Sequence, residues 1–350
     1  MPDNDLCIEY LKSGISVSTD SGCNIGCKYC IVGEFTAGQA PIKLSPSYIA
    51  DEICKYRLYN KFAPIIINNR TDPCLCGAKA NTFKLLEILD SRDIPNPRVI
   101  ITKLLVGEKY YKSLSNLKYP TFLFRTFSGM VQRIEPTSTL KHLERIIAEN
   151  EALKQFPNLH IVHYWRPIIP GINSDEYLLK EIFEYITKSF SCSVVSGIRV
   201  TPNLYKKLTD LGADLSGWNG DSNHKYLADD VYNTILELRN KYALDYPIFR
   251  NTSCAISALL GKPDYNLNFY KARFCHNCTN NKICATHIPR QMADVFDNMK
   301  YTFDGSTLTV MTPISQEQIS YIKHQYGCFI KAKQIEKQKS ELLLEKTYSG

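Results

Sequence analysis

Long apolar runs are absent from this chain, as are low-complexity linkers and internal repeats. No stretch of its 350 residues approaches the roughly twenty apolar residues that a membrane span requires. The first residues, Met1 to Asp5, lack the basic and apolar regions of a signal peptide, and the lack of repeats excludes a solenoid. We therefore expect a globular cytoplasmic protein, whose 44% hydrophobic content suits one large domain and a smaller appendage.

The net charge of the chain excludes few classes of function. The 42 Lys and Arg residues exceed the 35 Asp and Glu residues, which gives a net charge of +7. This charge permits an anionic partner such as nucleic acid without requiring one. The segment from Lys331 to Lys346 is rich in Lys and Glu, which is typical of a solvated surface and not of a nucleic-acid-binding arm.

Cysteine is abundant, and seven of the 13 cysteines fall into two groups that suggest metal ligands in a reducing compartment. The first group is C-x3-C-x2-C, formed by Cys23, Cys27 and Cys30 in a glycine-containing loop after an apolar run. Three such thiolates can bind three irons of a cubane cluster and leave the fourth iron without a protein ligand. A structural zinc site is the alternative, although zinc sites usually bring two separate cysteine pairs.

This motif resembles that of the radical S-adenosylmethionine (SAM) superfamily, and Tyr29 before the last cysteine fits the same pattern. The resemblance implies a [4Fe–4S] cluster whose open iron is chelated by the amino and carboxylate groups of SAM. It further implies an external electron donor of the flavodoxin or ferredoxin type. The electron cleaves SAM to methionine and a 5′-deoxyadenosyl radical, which abstracts hydrogen from a substrate.

Short β-rich runs alternate with helical patterns from residue 14 to about 200, which predicts repeated βα units with a parallel sheet. We expect an α/β fold with a partial (β/α)6 TIM-like barrel and a small C-terminal α+β extension that carries a second metal cluster. Asn81 and Ser174 are expected helix N-caps. The predicted strands are Ile15–Ser18, Pro64–Asn68, Arg98–Thr102, Thr121–Phe124, His160–Tyr164 and Ser193–Val200. The predicted helices are Pro46–Tyr59, Asn81–Leu89, Tyr110–Leu117, Thr139–Leu153, Asp175–Ser189 and Asp229–Tyr242.

Polar side chains end several of these strands, where the loops of a parallel barrel converge on one opening. Arginine suits bidentate binding of a carboxylate, so these residues are expected to face SAM or the substrate. The alternative is that each one pairs at a sheet edge. Lys103 is a candidate catalytic residue. The expected cofactor-binding residues are Tyr29, Asn68, Asn69, Thr71, Asp72, Arg125, Arg166 and Arg199.

Four of these strand-end segments resemble those of spore photoproduct lyase-like members of the superfamily. They are Thr71-Asp-Pro73, Ile101-Thr-Lys103, Ile134-Glu-Pro136 and the segment from Arg166 to Asn173. One departure stands out: Cys74-Leu-Cys76 replaces the aromatic residue expected after Asp-Pro, so a DNA-lesion substrate is not implied. Cys74 and Cys76 are candidate hydrogen donors to a substrate radical, or ordinary loop cysteines.

The second cysteine group is C-x2-C-x5-C, formed by Cys275, Cys278 and Cys284, with Cys254 upstream as the fourth ligand. It resembles the SPASM and twitch modules that follow the barrel in peptide-modifying and sugar-modifying radical SAM enzymes. The resemblance implies an auxiliary [4Fe–4S] cluster. Zinc is the alternative, with His276 or His287 able to replace one cysteine.

We expect an N-terminal segment (1–13), the barrel (14–202), a connecting region with the auxiliary cluster (203–290), and an appendage with a charged tail (291–350). The appendage is predicted as ββαβ, with a hairpin turning at Asp304-Gly305. The favoured substrate is a peptide or protein, with nucleic acid as the alternative. Two different classes remain open, a non-enzymatic protein with two zinc sites and an iron–sulfur sensor.

Overall fold

The computed structural model describes residues 7–32, 43–222, 224–267, 278–290 and 299–334. Within these residues the strands are β1 (Ile8–Leu11), β2 (Gly14–Val17), β3 (Ile65–Ile67), β4 (Arg98–Thr102), β5 (Thr121–Thr126), β6 (Leu159–Trp165), β7 (Ser193–Val195), β8 (Ile198–Arg199), β9 (Lys225–Tyr226), β10 (Ile248–Phe249), β11 (Tyr301–Phe303), β12 (Thr307–Ile314) and β13 (Phe329–Gln334).

The α-helices of the same residues are α1 (Pro46–Lys55), α2 (Cys76–Ser91), α3 (Tyr111–Ser115), α4 (Leu140–Leu153), α5 (Glu176–Ser189), α6 (Pro202–Asp210), α7 (Asp229–Tyr242), α8 (Thr252–Leu260), α9 (Asn281–Cys284) and α10 (Gln316–Tyr326). None of them is long and apolar enough to cross a membrane.

Eight strands form one sheet in the order β1-β2-β3-β4-β5-β6-β7-β10. Neighbours from β2 to β10 pair in parallel, and β1 pairs antiparallel with β2 at the edge. Connections through helices follow because a parallel pair requires a crossover. The α/β prediction with a partial TIM-like barrel is therefore confirmed. The sheet also includes strands at Ile8–Leu11 and Ile248–Phe249, which lie outside the predicted barrel segment, while the division into domains stays a prediction.

Side chains of the sheet alternate between two buried layers. Phe122, Phe124 and Tyr164 belong to the inner layer of the open barrel, together with Val99. Leu123 belongs instead to the outer layer, which packs on the helices. Since both faces of the sheet are covered, its strands are apolar on both sides. Polar groups at the strand ends therefore stand out from their surroundings.

Five of the predicted strands and all six predicted helices are present; β4 and α7 have the predicted ends, and the others differ at one or both ends. The sixth strand is shorter than expected. It ends at Val195, and Ile198–Arg199 pairs antiparallel with β9 outside the main sheet. Helix α2 begins at Cys76, so Asn81 lies inside the helix and is not its N-cap. The cap of α5 is Asp175, whose carboxylate accepts from the amide of Leu178, and not Ser174.

The C-terminal appendage has the predicted ββαβ order, with the hairpin turn at Asp304-Gly305 and a helix capped by Ser315. Its three strands form a separate sheet, and α10 packs against β1 of the barrel sheet. The hydroxyl of Tyr10 lies 3.0 Å from Nδ1 of His324 in this contact. On the other ring nitrogen, Nε2 lies 2.6 Å from Oδ1 of Asn266. The appendage therefore covers the edge strand of the barrel.

Candidate active site

The first three cysteines lie in the loop that follows β2. Cys23 is exposed, whereas Cys27 and Cys30 are partly buried, and none of the three is in a disulfide. Gly26, just before Cys27, has φ of 82°. This left-handed conformation strains any residue with a Cβ atom, which explains a glycine at this point of the motif.

Hydrogen bonds fix this loop to the ends of neighbouring strands. The hydroxyl of Thr71 donates to the carbonyl of Gly22 at 2.6 Å, and the amide of Lys28 donates to the carbonyl of Ile134 at 2.9 Å. Both partners come from segments that the sequence marked as strand-end motifs. The loop is therefore held at the carboxyl end of the sheet.

Asn68 is fully buried behind the same loop. Its carbonyl oxygen accepts from the amide of Thr19 at 2.8 Å and from the Thr19 hydroxyl at 3.1 Å. Its amide nitrogen donates to the hydroxyl of Thr82 at 2.8 Å. The side chain thus ties β3 to the segment that leads into the cysteine loop. This arrangement makes Asn68 a positioning residue, because its polar atoms already have protein partners.

One cavity of about 210 Å³ gathers most of the predicted site. All three cysteines line it, and so do most of the polar residues that end the strands. The predicted residues among its walls are Cys23, Cys27, Tyr29, Cys30, Asn68, Asn69, Thr71, Asp72, Lys103, Arg166 and Arg199. Their common position follows from the parallel sheet, whose carboxyl ends open on one side.

Lys103, on the wall of this cavity, forms an ion pair with the buried Glu135 behind it, with Nζ 3.0 Å from Oε2. The Tyr29 hydroxyl donates to the same carboxylate, and the ammonium of Lys103 lies 5.5 Å from the centre of the Tyr29 ring. Burial raises the pKa of the Cys27 thiol to about 12, although the Lys103 charge opposes that shift. Glu135 was not among the predicted site residues, yet its segment Ile134-Glu135-Pro136 was recognised as a motif.

Asp72 positions the backbone next to the ion pair of Lys103 and Glu135. Its carboxylate accepts from the Thr102 hydroxyl at 2.6 Å, from the Lys103 amide at 2.8 Å and from the Cys74 amide at 2.9 Å. Burial raises the pKa of Asp72, and these three donors work against the shift. The carboxylate therefore fixes the backbone that carries Lys103.

Three residues predicted for the SAM and substrate site do not line the cavity. Arg125 is fully buried in the outer layer, where its guanidinium pairs with Glu149 and donates to the carbonyl of Leu104 at 2.7 Å. Cys74 is part of the apolar core, and burial raises the pKa of its thiol to about 12. Cys76 is exposed at the start of α2. Neither cysteine lines the cavity from which it would donate hydrogen to a substrate radical.

The donor set of Cys23, Cys27 and Cys30 fits a cubane cluster. Within the described ranges, no three His, Cys, Asp or Glu side chains converge as the ligands of a single metal ion would. A cubane does not require such convergence, because each thiolate binds a different iron. Three thiolates on the wall of one cavity, with space beside them, are therefore compatible with an open fourth iron.

The second cysteine group is described in part. Cys275 lies outside the described residues, together with His276. Cys254 and Cys278 both pack against the inner layer of the barrel, and the Cys254 thiol donates to the buried carboxylate of Asp264 at 3.2 Å. Nδ2 of Asn280 is 3.7 Å from the sulfur of Cys284 and 2.6 Å from the Ser257 hydroxyl. Cys254 therefore lies in the first turn of α8, and Cys278 and Cys284 lie near that helix.

No protein-family model and no curated protein matches the sequence. Solved structures of spore photoproduct lyase do superpose on the chain. A double mutant of that enzyme with bound AdoMet and dinucleoside spore photoproduct has a TM-score of 0.54 and 13% identity, over 71% of this chain and 80% of that chain. A single mutant with dinucleoside spore photoproduct has a TM-score of 0.53 at the same identity and coverage.

The resemblance noted in the strand-end motifs and the topology of the sheet lead to the same fold. The superposition covers 71% of the chain, so it extends well beyond the cysteine loop. At 13% identity it concerns the path of the backbone and not the chemistry. The chain has the fold of spore photoproduct lyase.

Proposed function

We propose that this protein is a radical SAM enzyme. The observation that carries the proposal is the single cavity that Cys23, Cys27 and Cys30 share with polar residues at the ends of parallel strands. The fold supports it, since spore photoproduct lyase with this fold has been solved with bound AdoMet. When bound, a [4Fe–4S] cluster with an open iron would supply the electron that cleaves SAM to methionine and a 5′-deoxyadenosyl radical.

The side chains of the cavity divide into two groups in this proposal. Asn68 and Thr71 hold the cysteine loop in place through the bonds described above. Arg166 and Arg199 offer guanidinium groups to the carboxylate of SAM, since a planar fork matches two carboxylate oxygens. Asn69 and Asp72 complete the wall nearest to β3. Arg125 is not part of the proposed binding site.

Lys103 is the proposed catalytic residue, with Glu135 as its partner. The ion pair is almost completely buried, with 15% and 1% of the two side chains exposed. Such a pair can hold a proton at a fixed position at the wall of the cavity. Cys74 and Cys76 do not line that cavity, so they are not part of the proposed catalytic site.

An auxiliary [4Fe–4S] cluster bound by Cys254, Cys275, Cys278 and Cys284 is the second part of the proposal, and zinc is the alternative. Its support is the position of Cys254 in α8 and of Cys278 and Cys284 near that helix. A peptide or protein is the favoured substrate, because the cysteine module resembles those of peptide-modifying enzymes. Nucleic acid is the alternative, and the dinucleoside bound to the structurally similar lyase supports it.

The test is anaerobic reconstitution followed by reduction with dithionite in the presence of SAM. We expect about eight irons per chain and formation of 5′-deoxyadenosine. Replacing Cys23, Cys27 and Cys30 with alanine should abolish that product, and Cys54→Ala, at an exposed cysteine outside both groups, should not. Unchanged SAM cleavage in the triple variant would refute the proposal, as would a colourless protein with stoichiometric zinc.

A further inference from the structure

A second cavity of about 840 Å³ adjoins the first inside the open barrel. The two cavities share Asn69, Arg166 and Arg199 in their walls. Val99 and Val194, from the inner layer of the sheet, line the second cavity as well. Its volume is in the range of pockets that hold small ligands or short segments of a larger ligand. A molecule in this cavity would lie next to the cysteine loop.

Positive charge dominates the walls of this second cavity. Among the described residues that line it, one is acidic, namely Glu9, and its carboxylate is already paired with Arg70 at 2.8 Å. Six are cationic: Lys12, Arg70, Arg166, Arg199, Lys225 and Arg250. Like charges around a partly enclosed space repel each other, and an anion between them removes that repulsion.

The cations of the second cavity change the pKa of a neighbouring tyrosine, Tyr164. Arg166 stacks on the ring of Tyr164, 4.7 Å from its centre, and donates to its hydroxyl at 2.6 Å. Burial alone would raise the pKa of Tyr164, but the charges of Arg166 and Lys225, together with the hydrogen bonds to Thr252 and Arg166, outweigh burial and lower that pKa to about 7. Lys225 lines the cavity, and burial of its ammonium, followed by the Arg166 charge, lowers the pKa of that ammonium to about 8. The cavity therefore stabilises negative charge at this point.

The N-terminus of α8 is an independent reason to expect an anion in the second cavity. Asn251, Thr252 and Ser253, at the start of this nine-residue helix, all line the cavity. The N-cap Asn251 makes no capping bond with its side chain. The first amides of a helix lack partners within the helix, and together with the helix dipole they favour anions. Arg250 directly precedes this end.

We propose that the second cavity binds an oxyanion group, phosphate or carboxylate, of the substrate. As a substrate site it rests on the proposed function, because the shared walls would place the bound substrate beside SAM. Arginine forks and helix amides recognise both anions. The size of the cavity limits the recognised part to a small ligand or to a short stretch of a polymer.

Calorimetric titration of the reconstituted protein tests this proposal, with inorganic triphosphate and tricarballylate as probes at fixed ionic strength. Arg250→Gln and Lys225→Gln should each weaken binding by about tenfold, the effect of losing one charge-assisted hydrogen bond. Both residues line the second cavity and not the first, so SAM cleavage without substrate should remain. Arg145→Gln, at an exposed position of α4, is the matched control and should bind like the wild type.

Binding of triphosphate alone would assign a phosphate-bearing substrate, and binding of tricarballylate alone a carboxylate-bearing one. Binding of neither probe overturns the proposal. So does equal affinity of the wild type, Arg250→Gln and Lys225→Gln, provided that thermal unfolding shows both variants to be folded. If anions bind and both variants lose them while the wild type never cleaves SAM, the proposed function fails and the anion site stands.

Discussion

Asn68 shows how a single side chain can determine the shape of the site. We expect Asn68→Ala to lower the free energy of unfolding by roughly 2 to 4 kcal/mol. The loss combines a buried Thr19 amide without its partner with the cost of a left-handed conformation for alanine, since φ at this position is 56°. Denaturant unfolding of the apoprotein measures the effect, and iron content after reconstitution should fall with it.

Asn81→Ala is the matched control, because its side chain makes one bond to the same segment, from Nδ2 to Oδ2 of Asp20 at 3.0 Å. It should cost about 1.5 kcal/mol, the lower end of the range for a hydrogen bond to a charged group. A larger loss in Asn81→Ala than in Asn68→Ala would contradict the positioning role of Asn68.

The ionisation of Tyr164 is a second expectation at this scale. With tyrosine labelled at Cζ, one of the 22 tyrosine signals should titrate near pH 7 in NMR spectra, and Tyr164→Phe should remove it. The ordinary pKa of tyrosine is about 10, so between these values the unfolded chain binds more protons and stability rises with pH. Arg166→Gln should move the signal to higher pH. Titration of every tyrosine above about pH 9 would contradict the positive field in the second cavity.

Sequence was sufficient for the cysteines and for the residues that follow strands, because such positions in parallel sheets share one opening. It failed for Arg125 for a physical reason. All six residues of β5 are buried, so no polar alternation showed which face each one takes. Phe122 and Phe124 turned out to face the barrel interior, which sends Arg125 to the helices. For Glu135 the sequence does hold a signal, the motif-like segment Ile134-Glu135-Pro136.

Among the elements, the short pair of β8 and β9 connects the two cavities. Gly197 precedes β8, and a Cβ atom there would lie 1.6 Å from the carbonyl oxygen of Tyr226. We expect Gly197→Ala to separate the two strands, at a cost of about 1 to 3 kcal/mol for overpacking. Arg199 and Lys225 are paired residues of these strands, so binding of triphosphate should weaken as well.

Gly77→Ala provides the comparison, because a Cβ atom at this position in α2 meets nothing within 4 Å. Alanine in a helix should raise stability by about 0.5 to 1 kcal/mol. Equal unfolding midpoints for Gly197→Ala and the wild type would show that β8 and β9 do not form the close pair described here.

Helices and strands were predictable where the hydrophobic pattern covers several successive residues, as in α7 and β4, whose ends match the prediction. Three short elements, β8, β9 and β10, escaped prediction as separate strands because two residues carry no period. The predicted N-caps Asn81 and Ser174 were wrong because a capping residue type is common in loops and helices alike. Local geometry, which depends on the surrounding fold, decides which one caps.

Acid stability is a property of the whole molecule. Burial lowers the pKa of His163 and of His324 to about 3, against about 6.5 in the unfolded chain. Between these values the unfolded chain binds more protons, so stability falls as the pH drops below about 6.5. At about pH 5 each histidine should cost about 2 kcal/mol relative to about pH 7.5. Guanidinium unfolding at both pH values measures the sum.

His324→Gln should remove roughly half of this pH dependence. A stability that is the same at both pH values would mean that neither buried histidine stays neutral. The His324 variant also reports on the contact between the appendage and the barrel, since that residue lies between Tyr10 and Asn266.

Tyr10 and His324 are 314 positions apart in the chain. During synthesis on the ribosome, their contact therefore cannot form until long after Tyr10 has been made. At roughly 5 to 20 residues per second, tens of seconds separate the emergence of β1 from that of α10. For that time the edge strand has no cover, and an exposed edge invites pairing with other chains. The growing polypeptide is thus most prone to aggregate just before translation reaches the appendage, and a chaperone that holds nascent chains would act in that interval.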